Sequence, residues 1–224
     1  MKKAVVLLSG GLDSTTCLSV AIKEGYQVYP LSFDYSQRHN RELECAHKIA
    51  EYYDIKEHKV IRIDNVGGSA LTDMDIEVPD YKGTNDIPVT YVPARNIIFL
   101  SYAAGYAEVV GAEAIFIGVN AIDYSGYPDC RPEFIKAFED MIRVGTKSGA
   151  EGNPIKIATP LLHLSKAEII KLAAEINTPL HLTTSCYKGN EAACGVCDSC
   201  ILRLKGFKDA GITDPIKYYN DINL

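Results

Sequence analysis

No apolar run in this sequence is long. The longest are about five residues, as in Ala4 to Leu8, against the ~20 needed to span a bilayer, so no membrane-spanning helix is expected. Basic charge is not in excess either. Lys plus Arg is 23 and Asp plus Glu is 29 in 224 residues, a formal net charge of −6. That balance speaks against a general nucleic-acid coat, because phosphate binding needs clustered Lys and Arg. There is no internal repeat and no low-complexity tract. The apolar fraction of 47% excludes a disordered chain. A chain of this length buries roughly 70–75% of its unfolded surface, enough for one sizeable core. One domain with an appendage, or two small domains, is expected.

Met1-Lys2-Lys3 followed by Ala4 to Leu8 faintly mimics a signal peptide. The apolar stretch falls short of the ~7–15 residues a signal needs, and Ser9-Gly10-Gly11 follows, so it reads as a first strand. There are seven cysteines, four of them between 186 and 200. Without an export signal, that density points to metal or redox chemistry in a reducing compartment, the cytoplasm, and not to a disulfide framework.

Strand-like and helix-like runs alternate. Ala4 to Leu8, Val28 to Phe33, His58 to Ile63 and Ala114 to Gly118 read as strands. Thr15 to Lys23 places Cys17, Leu18, Ala21 and Ile22 on one helical stripe, and Arg38 to Tyr53 does the same with Leu43, Ala46, Ala50 and Tyr53. A helix from about Pro93 to Val110 is stopped by Gly111. Pro132 opens another, with Phe134, Ile135, Phe138, Met141 and Ile142 as its buried face. Ser165-Lys166-Ala167-Glu168 is a capping box for a helix burying Ile169, Leu172, Ala173 and Ile176. Asp64 to Tyr91 has no period and is expected to be a long loop, a lid or a binding loop. The pattern predicts a doubly wound parallel α/β sheet over residues 1–182. Residues 183–224 are expected to form a cysteine-rich appendage packed on it.

Ser9-Gly10-Gly11-Leu12-Asp13-Ser14 lies between the first strand and the first helix. Doubly wound sheets place anionic ligands there, outside the carboxyl end of a strand. Adjacent glycines let several backbone N–H groups converge, and a helix N-terminus adds partial positive charge. Ser9 and Ser14 add hydroxyls, while Asp13 would be repelled by a bare phosphate, which suggests a bridging Mg²⁺. The Gly-Lys-Ser/Thr ending of a Walker A loop and the Gly-x-Gly-x-x-Gly fingerprint are both absent. The six residues resemble the PP-loop of ATP pyrophosphatases (adenine nucleotide alpha-hydrolase-like proteins), in which the loop grips pyrophosphate and ATP is split between the α and β phosphates. A plain glycine turn with polar caps is the bland alternative.

Cys186, Cys194, Cys197 and Cys200 are spaced C-x7-C-x2-C-x2-C, with Gly189 and Gly195 giving the backbone room to turn. Four thiolates complete a closed tetrahedral Zn²⁺ site of the structural type. An iron–sulfur cluster is the competing assignment, but the fourth Cys followed by Pro of the bacterial ferredoxin run is missing. Cys17, Cys45 and Cys130 are scattered and read as small core residues.

Further candidates come from the same sheet edge. Asp34 ends the second strand, Arg95 opens the helix after the long loop, and Gly118-Val119-Asn120 ends the fourth strand, where Gly leaves room for a flat ring. Asp123 to Arg131, with Asp123, Tyr124 and Asp129, looks built to hold a planar polar ligand. Lys166 sits in the first turn of its helix, where the dipole disfavours a cation, so a phosphate between that helix end and the loop is expected. His39 and His163 flank segments placed near the site.

SGGLDSTTCL, SFDYSQRH, VPARN, GVNAIDYSGYPDCRPEF, TPLLHLSKAEI and CGVCDSCILRLKGF together resemble the 7-cyano-7-deazaguanine synthase family of queuosine-precursor biosynthesis, from about Lys3 to Tyr218. Ser36 stands where the family favours Gly. The resemblance implies conversion of 7-carboxy-7-deazaguanine and ammonia to the nitrile at the expense of ATP, through adenylated carboxylate and amide intermediates. It implies that Leu8, Ser9, Gly10, Gly11, Leu12, Asp13, Ser14 and Thr15 hold the phosphates, with Mg²⁺ oriented by Asp13. Arg95, Lys166 and Asp123 join Asp13 as catalytic residues, while Gly118, Asn120 and Tyr124 contact nucleotide or deazaguanine. Cys186, Cys194, Cys197 and Cys200 bind Zn²⁺, and a homodimer is implied. Two alternatives stay open on the residues alone: a PP-loop enzyme adenylating another acceptor, such as a tRNA base, and a zinc-stapled nucleotide-binding module without turnover.

Overall fold

The computed structural model describes residues 1–35, 40–64, 67–73, 75–77, 87–120, 126–188 and 191–219. Ser36, His39, Asp123, Tyr124 and Gly189, singled out above, lie outside the described residues. Five strands, β1 Lys3–Leu7, β2 Gln27–Asp34, β3 Lys59–Arg62, β4 Ala114–Phe116 and β5 Lys156–Ala158, form one sheet in the order β3-β2-β1-β4-β5. Every pairing is parallel. The described helices are α1 Leu12–Lys23, α2 Arg41–Tyr52, α3 Arg95–Val110, α4 Pro132–Gly145, the single turn α5 Lys147–Ala150, α6 Lys166–Glu175 and α7 Asp198–Ala210.

β1 takes the centre because it is apolar on both faces. Val5 and Leu7 join Leu31, Ile115 and Ile157 in a core with Leu100 and Ala103 of α3 and Ile135, Phe138 and Ile142 of α4. Ala4, Val6 and Leu8 join Phe116 in a second core with Leu18 of α1, Ile49 of α2, Ile169 of α6 and Phe207 of α7. A parallel strand covered on both sides reads as a continuous apolar run for this reason. The chain winds outward from β1 to β3 and then restarts at β4 on the other side. The crevice between the carboxyl ends of β1 and β4 is therefore the topological switch point, where such sheets bind ligands.

Several boundaries differ from the sequence reading. α1 starts at Leu12, not Thr15, because Thr15 N and Thr15 Oγ1 both bond Gly11 O, at 3.1 and 2.7 Å. Asp13 and Ser14 thus lie in its first turn. α3 starts at Arg95, preceded by Ala94 in the left-handed region at φ 56. Met141 is 50% exposed, since the buried stripe of α4 is Ile135, Phe138 and Ile142. α6 buries Ile169, Ile170 and Ala173, with Leu172 only partly covered and Ile176 at its C-terminal end. The described part of 64–91 holds no strand or helix. β5 and α7 were not foreseen: β5 is only three residues long, and α7 begins among cysteines and carries few apolar residues. Among the described residues, no helix is long and apolar enough to cross a membrane.

Candidate functional site

The turn after β1 is tied to itself and to two neighbours. Gly10 sits at φ 84, and a methyl group there would run into the carbonyl of Glu42 and lie 2.8 Å from Ala46 N. Only glycine lets the first turn of α2 pack this closely. Ser9 N donates to Ser14 Oγ at 3.2 Å, the two serine hydroxyls meet at 3.0 Å, and Gly11 N donates to Ser9 Oγ at 3.3 Å. Thr184 N donates to Gly10 O at 3.0 Å, so a residue from the C-terminal segment straps the turn.

Asp13 gathers the next group. Lys166 Nζ donates to its Oδ2 at 2.6 Å and Asn120 Nδ2 to the same oxygen at 3.1 Å, with the lysine and aspartate side chains 16% and 22% exposed. Its Oδ1 is buried with no hydrogen-bond partner among the described residues. The ammonium group at the head of α6 is thus opposed by a carboxylate of the chain itself, where the sequence suggested a phosphate. Gly118 has a reason of its own: a methyl there would lie 3.0 Å from the Asp13 carbonyl carbon and oxygen. Gly206 of α7 plays the matching part for Lys166, since a methyl on it would fall 3.0 Å from Lys166 Cβ and from Ile170 Cδ1.

Opposite stand Arg95, Tyr35 and Glu42. Asn96 anchors the start of α3: its N–H donates to Asp129 Oδ2 at 2.9 Å, and its Nδ2 donates to Asp129 O at 3.0 Å and to Cys130 Sγ at 3.2 Å. Asp129 is therefore a buried cap of α3 and not a ligand-facing carboxylate. Burial works against the charge of Arg95, but Tyr35, Cys130, Tyr127 and Asp129 together hold its pKa above the ordinary value. Tyr35 hydrogen-bonds Arg95 and is pushed up to about 12 by burial. Burial raises the carboxyl of Glu42, with Arg95 pulling the other way.

These groups face one cavity of about 280 Å³, walled by Leu8, Ser9, Gly11, Leu12, Asp13, Ser14, Arg95, Gly118 and Lys166 and by the aromatic rings of Phe33, Tyr35, Phe99 and Tyr127. Phe33 and Phe99 stack at 4.0 Å with 3° between planes. Gly10, Thr15 and Asn120 stand behind this surface. Asn120 is fully buried against Asp13, and the Thr15 hydroxyl is turned back to Gly11 O. Asp34 pairs with Arg62 at 3.9 Å and does not line the cavity, and His163 is exposed outside it. Two charged lining residues escaped the sequence reading. Glu42 hid among the acidic residues of α2, although it shares the stripe of the buried Cys45, Ala46 and Ile49. Arg203 is 2% exposed, clamped by Asp214 at 2.7 and 2.9 Å and bonded to Thr183 Oγ1 at 2.9 Å and Ser185 Oγ at 3.3 Å.

The four cysteine sulfurs lie within 4.8 Å of one another. Cys194 and Cys200 Sγ are 3.9 Å apart, close to the edge of about 3.8 Å that a tetrahedron with 2.3 Å Zn–S bonds requires. Cys194 N donates to Cys186 Sγ at 3.4 Å and Cys197 N to Cys194 Sγ at 3.4 Å, as expected of amides supporting thiolates. Hydrogen bonds from Cys197 and Cys200 hold the Cys186 thiol below its ordinary range, and the reciprocal bond pushes Cys197 up to about 11. The donor set fits a closed zinc site. Cys17, Cys45 and Cys130 are buried in the two cores, and burial raises the thiols of Cys17 and Cys45.

A doubly wound sheet with a Ser-Gly-Gly-Leu-Asp-Ser turn at its switch point makes this a PP-loop nucleotide-binding α/β protein. The solved NMN synthetase of Francisella tularensis is similar at TM-score 0.50 and 17% identity, over 95% of this chain and 73% of that one, which speaks to fold alone. A family model described as queuosine biosynthesis protein QueC matches residues 3–211, and the chain belongs to that family. It is 75% identical over 218 residues to the 7-cyano-7-deazaguanine synthase of Acetivibrio thermocellus, covering 97% of this chain and 98% of that protein. The enzyme of the same name from Coxiella burnetii is 57% identical over 226 residues, 99% of this chain and the whole of the other.

Proposed function

We propose that this chain makes 7-cyano-7-deazaguanine from 7-carboxy-7-deazaguanine and ammonia, consuming ATP. One cavity in which the glycine turn, the Asp13–Lys166 pair and Arg95 converge carries this reading, in a chain closely related to enzymes named for that product. A carboxylate is inert to ammonia because its leaving group would be oxide. Its oxygen attacks the α-phosphorus of ATP, pyrophosphate leaves, and an acyl-adenylate forms. Ammonia then displaces AMP, giving the amide and a proton. The amide oxygen attacks a second ATP and pyrophosphate leaves again. Loss of AMP and of the two nitrogen-bound protons leaves the nitrile.

In this scheme the N–H groups of the turn at the head of α1 bind pyrophosphate oxygens, where the helix end favours an anion. Arg95 and Lys166 oppose the charge that builds on the phosphates as the α–β bond breaks. The orphaned Oδ1 of Asp13 fits Mg²⁺, a hard cation that takes oxygen ligands and would lend positive charge to the phosphates. Asp123 and Tyr124 keep the roles the family resemblance gives them. Cys186, Cys194, Cys197 and Cys200 would hold a structural Zn²⁺ that fixes residues 183–224 against the 1–182 domain. The enzyme acts in the cytoplasm on small molecules, without nucleic acid or membrane. It does so as a homodimer, for which the apolar Tyr102, Val109, Met141 and Val144 left exposed on α3 and α4 are support.

Incubation with ATP, ammonium and 7-carboxy-7-deazaguanine, followed by mass spectrometry, tests the reading. The expected products are the nitrile and two AMP and two pyrophosphate per nitrile. Adenylated acid alone, no product, or ADP with phosphate overturns it.

A further inference from the structure

We propose that Glu42 is a further catalytic residue: the base that takes the protons given up by nitrogen as ammonia becomes the amide and the amide becomes the nitrile. The proposal deepens the function just proposed and rests on it. Nitrogen enters that reaction with three hydrogens and leaves with none, so the cleft needs a proton acceptor near the reacting carbon.

Among the described residues lining the cavity there are two carboxylates, Asp13 and Glu42, and no histidine. Asp13 is already committed: its Oδ2 is engaged by Lys166 at 2.6 Å and Asn120 at 3.1 Å, and its Oδ1 is the oxygen proposed for Mg²⁺. Glu42 is placed differently. Its backbone carbonyl abuts Gly10 of the phosphate turn, it lines the same cavity as Arg95, and the charge of Arg95 acts on its carboxyl. It therefore shares one cleft with the turn assigned to pyrophosphate and with the cation assigned to the phosphates.

The position is also costly for a carboxylate. Glu42 lies one helical turn before Cys45 and Ala46 and two before Ile49, all buried, on a stripe where an apolar side chain would be expected. An acid that breaks the pattern there is a functional candidate. The titratable groups that face it are Arg95 from α3, Tyr35 beyond β2 and Cys45 from its own helix. Burial in this setting raises the carboxyl above its ordinary value, which makes it a stronger base near neutral pH.

The steps balance. In the first, the C–N bond forms, the C–O bond to the phosphate breaks, and AMP leaves with the electron pair while one proton passes from nitrogen to the Glu42 carboxylate. Glu42 then returns that proton to solvent. In the second stage the amide oxygen attacks the α-phosphorus of ATP, pyrophosphate leaves, and nitrogen gives up one proton to the Glu42 carboxylate, which again returns it to solvent. The last N–H proton passes to Glu42, its electrons complete the triple bond, and AMP departs.

The test uses the whole protein with ATP, ammonium chloride and 7-carboxy-7-deazaguanine, comparing wild type with Glu42→Gln and Glu42→Asp. Glu42→Gln is expected to release pyrophosphate in a burst and accumulate the adenylated acid. Its nitrile formation should fall by about 10²- to 10⁴-fold, with KM for ATP changed only a few-fold. Glu42→Asp is expected to restore part of the rate with a displaced acid limb in its kcat–pH profile, which a merely structural carboxylate would not move. Nitrile formation by Glu42→Gln near the wild-type rate overturns the proposal. So does loss of the pyrophosphate burst together with the nitrile in both variants, because Glu42 would then act only by positioning Arg95. A wild type that makes no nitrile overturns the reading of function and this proposal with it.

Discussion

Residues 9–14 and residues 186–200 are both short stretches of irregular backbone, and they are fixed by different means. The first is held from many sides: glycine at a positive φ, serine hydroxyls bonded to each other, the carbonyl of Glu42 against Gly10, and β1 buried beneath it. The second has a small apolar cluster of its own, chiefly the cysteines with Tyr187, Ala193, Ile216 and Tyr218. It depends on four sulfurs and on the grip of Arg203 on Asp214. Sheet packing stabilises a turn whether or not a ligand is present. A thiolate cluster stabilises its backbone only through the metal its geometry fits. Changes in the first region should therefore affect chemistry, and changes in the second should affect folding and, through Thr184, nucleotide affinity as well.

The largest expected effect comes from Cys197→Ser. Losing one of four ligands should lower unfolding free energy by about 5 kcal/mol or more, since zinc-binding energy is folding energy in such sites. Urea denaturation and metal content would read it. Unchanged stability with no zinc in the wild type would remove the proposed staple. Next is Asp13→Asn, expected to cut kcat/KM by at least about 10³-fold, roughly 4 kcal/mol. The same variant should unfold within about 1 kcal/mol of wild type, because the amide oxygen still accepts from Lys166. Near-normal nitrile formation would strip Asp13 of its role.

Arg203→Met should cost about 3 kcal/mol, the penalty of leaving a buried Asp214 unpaired. It should also raise Kd for ATP by loosening Thr183 and Ser185 on either side of the strap. ATP affinity unchanged by calorimetry would break the link between the two regions. The smallest effect is expected from Gly206→Ala, about 1–2 kcal/mol of overpacking between α6 and α7. Its signature is a kcat loss through the displaced Lys166, and stability lost at unchanged kcat would show that Lys166 needs no exact seat.

The readable parts of this molecule were those whose partners are near in sequence. The apolar run of β1, the capping box at Ser165 and the stop at Gly111 each follow from a few adjacent residues, and all stand as expected. The phosphate turn and the cysteine spacing were legible for the same reason. The pairing of Lys166 with Asp13, 153 residues away, was not, because nothing near Lys166 in sequence points to that carboxylate. Arg203 was missed because nothing local marks it, and Glu42 because its break in the apolar stripe of α2 passes for one of the two acids of that helix's first turn. One looks like any basic residue of an exposed helix and the other like any acid of a helical first turn, and only tertiary packing turns both inward. Gly118 does line the cavity, but the other demand for glycine there, the close approach of the Asp13 backbone from across the switch point, could not be read from its neighbours in sequence.

The bond from Thr184 N to Gly10 O has a consequence for synthesis on the ribosome. Translation is vectorial, so the glycine turn emerges well before Arg203, Asp214 and Tyr218, which hold the strap's segment. A nascent polypeptide halted before Asp214 would carry the turn without its fastening. Truncated products would then be poor consumers of nucleoside triphosphate, and the cell would be spared idle hydrolysis by unfinished copies.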